Sequence, residues 1–238
     1  TPKPSSAASD VYKRQNILYL GSLTKGFLIV RPKYFKSYID KQDPVTYSNI
    51  LLDSTHVLTG QGQIIDYKGN ITHLKSPLQG EKYSSLIDNN GDIWTLDIRN
   101  LYRYKKSTNY TTSDRWTLQY FMSAVYKDEK GRIWIGTTDS KTYKKGQLYT
   151  IDPSVAAPKL TPVANLDFSP NNIYKDGNSR MLIGSPSGLY HMDLNTKYIT
   201  RNSVIDESYV RGIHCSDGNN IWVYTCLLYT SDAADEGL

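Results

Sequence analysis

Four histidines, His56, His73, His191 and His214, are the residues best suited to metal ligation or proton transfer, and their spacing serves neither. A zinc site needs three or four converging ligands, usually visible as HxH, HxxxH or CxxC pairs, and none occurs. Three of the four histidines lie in strand-like runs, where a polar strand residue is the expected role. The segment 88–92 (DNNGD) echoes a calcium loop but lacks the twelve-residue layout and its terminal Glu, so it reads as a hairpin turn. Gly60-Gln-Gly62 has no helix after it and is no dinucleotide fingerprint. Asn70-Ile-Thr72 and Asn109-Tyr-Thr111 match the glycosylation sequon, which means little if the source is bacterial. No Ser/His/Asp set or carboxylate pair stands out. The expectation is a protein that is not an enzyme, with no metal and no cofactor.

The two ends have to be set apart before the middle is read. Residues 5–15 (SSAASDVYKRQ) and 226–236 (CLLYTSDAADE) are unrelated as peptides. An allowed codon choice for the first, read on the opposite strand one base in, encodes the second. One DNA segment thus accounts for both, and it resembles the transposase adapter used in preparing sequencing libraries. Residues 1–15 and 226–238 are therefore expected to be adapter-derived, to add little to the core, and are excluded from fold reasoning. The stretch 16–225 is then expected to be an internal piece of a longer protein. Without Cys226, Cys215 stands alone and no disulfide between the two is expected.

The chain carries 28 Lys and Arg against 23 Asp and Glu; without the end segments the balance is about +6, a solubility statement rather than a fold statement. The basic residues are dispersed, with small groups at 103–106 and 141–145, so no nucleic-acid partner is expected. No run approaches eighteen apolar residues, so membrane attachment would need a segment beyond this one.

The middle is repetitive. Residues 124–131 (AVYKDEKG) lead to 132–137 (RIWIGT) and on to 146–152 (GQLYTID); 84–91 (SSLIDNNG), 92–95 (DIWT) and 100–104 (NLYRY) follow the same plan. Further copies run 172–177, 181–185 and 188–193, then 210–218 and 221–225, with weaker ones near 18–30 and 57–67. Aligning the Trp-type position gives Tyr19, Leu58, Trp94, Trp134, Leu182 and Trp222, spaced 36 to 48 residues apart. Short runs rich in Val, Ile, Tyr and Trp suit half-buried strands. Asp-x-x-Gly suits a tight hairpin, with Gly supplying positive φ. A period near forty built from such runs is that of four-stranded propeller blades, whereas helical arrays repeat at about 33–34 residues with helical periodicity. The fold class expected is all-β: a β-propeller fragment of four-stranded antiparallel blades, about four complete and two partial. The first copy is expected to lack its innermost strand, and the last to stop after its second.

The signature Asp-x-x-Gly-x-Ile-Trp-Ile-Gly-Thr, followed by Gly-Leu-Tyr, resembles the two-component regulator propeller repeat, and the resemblance covers essentially all of 16–225. Thr95 replaces the usual Gly after Ile-Trp, Leu58 and Leu182 replace Trp, and the turn at Asp53 lacks Gly. The resemblance implies the extracytoplasmic, periplasmic sensor half of hybrid two-component systems, notably in Bacteroidetes. Such domains often form homodimers through the parent protein and in many cases respond to oligosaccharides or other small ligands. The same repeats occur in propellers without a kinase, which leaves a structural or docking module of a surface or secretion-associated protein as the second reading. A propeller enzyme is the third, and would show clustered His, Asp, Glu or Arg at matching blade ends.

In such a blade the starts of the inner strands share one end with the turns between second and third strands. Counting eleven residues back from positions 94, 134, 182 and 222 gives Tyr83, Ser123, Asn171 and Arg211, with Tyr47 or Ser48 as the second blade's equivalent. Arg99, in the turn after the third blade's second strand, joins them. All can hydrogen-bond, and Tyr and Arg can stack on a sugar face, so these residues are the expected ligand site. The competing reading is that they only cap strand ends.

Overall fold

The computed structural model describes residues 10–14, 17–22, 26–31, 34–38, 48–74, 84–177, 179–206, 209–215 and 221–225. They form two compact units, Thr1–Trp116 and Thr117–Leu238. In the first, β1 (Asp10–Arg14), β2 (Ile17–Ser22), β3 (Gly26–Arg31) and β4 (Tyr34–Tyr38) make one sheet. A second holds β5 (Asn49–Leu51), β6 (His56–Thr59), β7 (Gln63–Asp66) and β8 (Ile71–His73). A third holds β9 (Ser84–Ile87), β10 (Ile93–Leu96), β11 (Asn100–Tyr104) and β12 (Ser113–Thr117). In the second unit, β13 (Phe121–Lys127), β14 (Ile133–Thr138), β15 (Gly146–Ile151) and β16 (Thr161–Leu166) make a fourth. A fifth holds β17 (Asn172–Asp176), β18 (Arg180–Ser185), β19 (Gly188–Asp193) and β20 (Ile199–Asp206). The strands β21 (Val210–Cys215) and β22 (Ile221–Thr225) pair alone.

Each sheet is a meander, every strand antiparallel to its sequence neighbour. The Trp-type positions all fall on the second strand of a sheet, as the repeat requires. Asp88–Gly91 and Asp128–Gly131 close the first hairpin of their sheets. The Gly amide donates to the Asp carbonyl (3.1 and 2.9 Å), and the Gly takes φ of 82° and 81°, a left-handed value that only Gly adopts freely.

One expectation is corrected, the number of complete blades among the described residues. Five sheets have four strands, not four, because the innermost strand expected to be missing from the first sheet is present as β1. It comes from the segment read as adapter-encoded and pairs with β2 over Asp10–Arg14. The physical reason is local: the Val-Tyr pair at its centre favours a strand, and the edge of β2 offers amides and carbonyls that such a strand satisfies. Cys226 lies outside the described residues.

The buried clusters each join two neighbouring sheets. Trp134, Ala124, Leu148 and Leu166 of the fourth sheet pack with Ile173, Met181, Ile183 and Met192 of the fifth. Ile50 and Leu58 of the second pack with Ile93 and Tyr104 of the third. Leu182 and Leu189 of the fifth pack with Val210 on β21. One sheet alone would leave both faces apolar, and stacking buries them.

In the last sheet this covering is incomplete. Trp222, at the position where Trp94 is 0% and Trp134 3% exposed, is 63% exposed, and Tyr224 is 52% exposed. Among the described residues β22 pairs with β21 only, and a strand edge beside exposed aromatics favours association. The chain is accordingly expected to sediment as oligomers that dissociate on dilution. A monodisperse monomer at high concentration would contradict this.

Candidate ligand-binding site

The strand-start end of the second unit holds three of the expected residues in a row. Ser123 and Arg211 are each the extra residue of a β-bulge, since the registers shift between Met122 and Ala124 and between Val210 and Gly212. A bulge re-aims a side chain out of the pleat. Ser123 Oγ donates to the carbonyl of Pro170, just before β17, and Asn171 Nδ2 donates to the carbonyl of Val210 at the start of β21 (2.8 Å). Asn172 Nδ2 donates to the carbonyl of Arg211 (3.1 Å). Three successive strand starts therefore lie side by side, and two of the three side chains tie one sheet to the next. The exposed Arg211 guanidinium sits over the Tyr209 ring, 4.3 Å from its centroid.

In the first unit, Ser48 is buried and its Oγ lies 3.5 Å from Ser85 Oγ, which donates to Thr95 Oγ1 (2.9 Å). Arg99 is exposed in the β10–β11 turn, where its amide donates to Asp97 Oδ1 (2.9 Å). Tyr83 and Tyr47 lie outside the described residues. Beside Ser48, two buried atoms have no hydrogen-bond partner: Asn49 Nδ2, a donor, and Gln61 Oε1, an acceptor in the β6–β7 turn at the same end. A buried polar atom left unpaired costs about 1–3 kcal/mol unless a ligand or water completes it. Sequence reasoning passed over both residues. The sign was there in Gly60-Gln-Gly62, a turn holding a polar side chain where a simple hairpin needs none.

The opposite end of the sheets is organised around the turn aspartates. Trp94 Nε1 donates to Asp88 Oδ2 (2.8 Å), and Trp134 Nε1 to Asp128 Oδ2 (3.0 Å). The amides of Lys130 and Arg132 donate to Asp128 Oδ1 (3.0 and 2.9 Å). Burial works against the Asp128 carboxylate. The Trp134 indole, the Arg132 amide and the Arg132 charge outweigh it and hold the carboxyl below the usual range.

The cross-strand partners of Leu182 and Leu58, His191 and Ile64, each line a cleft. One of about 610 Å³ adjoins the fifth sheet, lined by Asp176, Arg180, His191, Tyr198 and Thr200 among others, and one of about 440 Å³ adjoins the second and third sheets. In the first, burial and then the Arg180 charge push His191 down, with Asp176 pulling the other way. Asn202 Nδ2 lies 2.9 Å from His191 Nε2 and donates to it, so the ring is neutral. His191 is a strand polar residue, as expected. Among the described residues no three His, Cys, Asp or Glu side chains are grouped to hold a metal.

Stacked four-stranded meanders with the conserved-type turn at one end are β-propeller blades, and solved structures bear out the fold. The chain superposes on the extracellular domain of BT4673 from B. thetaiotaomicron, described both as a one component and as a hybrid two component system, with TM-score 0.56 and 18% identity, covering 94% of this chain and 38% of that one. It matches PorZ of Porphyromonas gingivalis, a surface component of the type-IX secretion system, with TM-score 0.66 and 12% identity over 90% of this chain and 36% of that one. It matches the Neurospora crassa Pan2 WD40 domain with TM-score 0.60 and 11% identity over 88% of this chain and 69% of that one. The chain thus spans little more than a third of the first two. Residues 118–139, the β13–β14 hairpin and its approach, match the family model of the two component regulator propeller, so the chain carries this repeat, as its motifs imply. No curated protein matches it. No helix among the described residues is long and apolar enough to cross a membrane.

Proposed function

We propose that this chain is part of an extracytoplasmic, periplasmic sensor propeller of a two-component-type regulator, non-catalytic and responsive to a carbohydrate or similar small ligand. The observation that carries the reading is the regulator propeller match at 118–139. Two further features support it. The BT4673 domain, to which the chain is similar, is described as extracellular and as belonging to a signalling system. Asn49 Nδ2 and Gln61 Oε1 offer a buried donor and acceptor at the end where strand starts meet, as a site with few directed polar groups requires.

The test titrates a panel of neutral and acidic oligosaccharides into the chain by calorimetry, with Asn49→Leu and Gln61→Leu as variants. Asn49→Leu removes an unpaired buried donor, so stability should be unchanged or raised by about 1 kcal/mol. Affinity for the bound sugar should fall about tenfold or more in each variant. A site whose loss leaves stability intact is the mark of function held against packing. Absence of binding across the panel overturns the carbohydrate reading; binding unchanged in both variants overturns the site.

A docking propeller at the cell surface is the second reading, favoured by the likeness to PorZ. The sequence following this segment separates them. A membrane-spanning helix with a kinase core or DNA-binding module supports the sensor, and a sorting domain supports docking.

A further inference from the structure

The repeat supplies its own internal control for the cleft between the second and third sheets. In the third sheet Trp94 fills its site completely, its N–H on Asp88 and its ring stacked on Trp116 at 5.3 Å. In the second sheet the same strand position is Leu58, whose cross-strand partner Ile64 lines a cleft of about 440 Å³. Its apolar floor is Leu52, Ile64 and Leu74, which pack against the cluster containing Leu58. The turn aspartate, Asp53, lines the cleft, half exposed, where its counterparts receive an indole N–H. From the third sheet Tyr110 forms part of the facing wall.

That wall is held under strain. Asn109 and Tyr110 are consecutive non-glycine residues with φ of 51° and 60°, a left-handed backbone that side chains disfavour. The Tyr110 hydroxyl donates to the carbonyl of Gly91 (3.2 Å), which fixes the ring. Burial, then the charges of Asp92 and Asp53, push its phenol up, so it stays neutral. The Asp53 carboxyl is the reverse case. Burial opposes its ionisation, but bonds from the Thr55 amide, His56 and the Thr55 hydroxyl hold it at about 2, so it is a carboxylate at any ordinary pH. His56 Nδ1 lies 2.9 Å from its Oδ2. One such donor does not saturate that oxygen, because Asp128 Oδ2 takes both Arg132 Nε (3.1 Å) and Trp134 Nε1 (3.0 Å).

We propose that this cleft binds an indole-class ligand, a flat heteroaromatic ring with an N–H, in the space that tryptophan occupies in the neighbouring sheet. The ring lies on Leu52, Ile64 and Leu74 with Tyr110 as aromatic wall, and its N–H donates to Asp53 Oδ2. Sugar binding at the strand-start end is a separate matter, and either stands without the other.

The probe is indole, titrated into the full chain with the Leu and Ile methyl groups followed by NMR. Shifts at Leu52, Ile64 and Leu74 are expected to follow one saturation curve. 1-Methylindole, which lacks the donor, should bind about tenfold more weakly, the value of one hydrogen bond to a carboxylate. Leu58→Trp should fill the cleft from within and abolish the shifts. Since a larger side chain at a buried site can unfold the sheet, Thr72→Trp at an exposed cleft position serves beside it, and should weaken indole at least tenfold in a chain of unchanged melting temperature. No saturable shift at the three floor residues, or indole binding to Thr72→Trp as to the parent, overturns the site. Equal affinity for indole and 1-methylindole overturns the role of Asp53.

Discussion

Alanine at Asp128 is expected to destabilise the second unit by roughly 3–5 kcal/mol, whereas alanine at Asp176, its counterpart one blade on, should cost less than about 1 kcal/mol. The two aspartates open the same turn but have different work. Asp128 has no exposed side-chain surface and receives the Trp134 indole N–H and two turn amides. Removing it leaves Trp134 Nε1 buried without a partner, at about 1–3 kcal/mol, and frees two amides besides. Asp176 faces Leu182 instead of Trp. Its side-chain partner is Arg180, which is 56% exposed, and surface pairs of that kind are worth little. Urea unfolding of the two variants decides it; equal losses would mean that the turn, and not the indole, is what Asp128 holds.

The same geometry fixes a pH dependence. Asp128 titrates below an ordinary carboxyl in the folded protein, so its unfolded form binds a proton first as pH falls. Its contribution is present in full above the unfolded value of about 3.9 and is lost as pH drops through the lower folded value. The Asp128→Ala chain should therefore lose less stability between pH 5 and about pH 2 than the parent.

Gly146→Ala is expected to cost about 3 kcal/mol or more, against about 1–2 for Gly177→Ala. A Cβ on Gly146 would stand 2.2 Å from the carbonyl oxygen of Thr137 and 2.5 Å from Pro170 Cδ. The first is backbone of the paired strand β14, the second a ring with no rotamer to yield, so β15 itself would have to move. Gly177 has open space around it and φ of 68°, so alanine there meets only the left-handed strain. Melting temperatures measured in parallel should separate the two clearly, and a mild effect at Gly146 would show that β15 moves easily.

What the sequence makes legible is what repeats. Asp-x-x-Gly, the Trp two residues into the next strand and the Gly-Leu-Tyr start recur because every blade needs the same turn and the same plug between sheets. Blade type and strand order follow from them. Where a blade departs, the pattern is silent on the outcome. Leu58 and Leu182 read as weakened copies, yet in the structure their cross-strand partners line clefts. β1 was hidden because the DNA logic of residues 5–15 says nothing about which peptide can pair with an open strand edge. The strand-start residues proposed as a site were legible as positions, but their hydrogen-bond partners were not. A polar residue at a strand start is visible in a sequence; the carbonyl of Pro170 or Val210 opposite it, 47 or 39 residues away, is not. Asn49 shows the converse, its importance lying in a partner it lacks.

Because each strand pairs with the strand next to it in the chain, almost every sheet bond closes a loop of only a few residues. Low contact order of this kind lowers the entropy lost before pairing is rewarded. Any of the hairpins can nucleate, and within each unit order spreads blade to blade through the shared apolar clusters, as along a one-dimensional lattice. Amide exchange will record that lattice. The amides of β14 and β18, central and buried on both faces, will exchange slowest and in step with global unfolding. Those of the outermost β8, fully exposed, will exchange through local fraying that leaves the rest of its sheet intact.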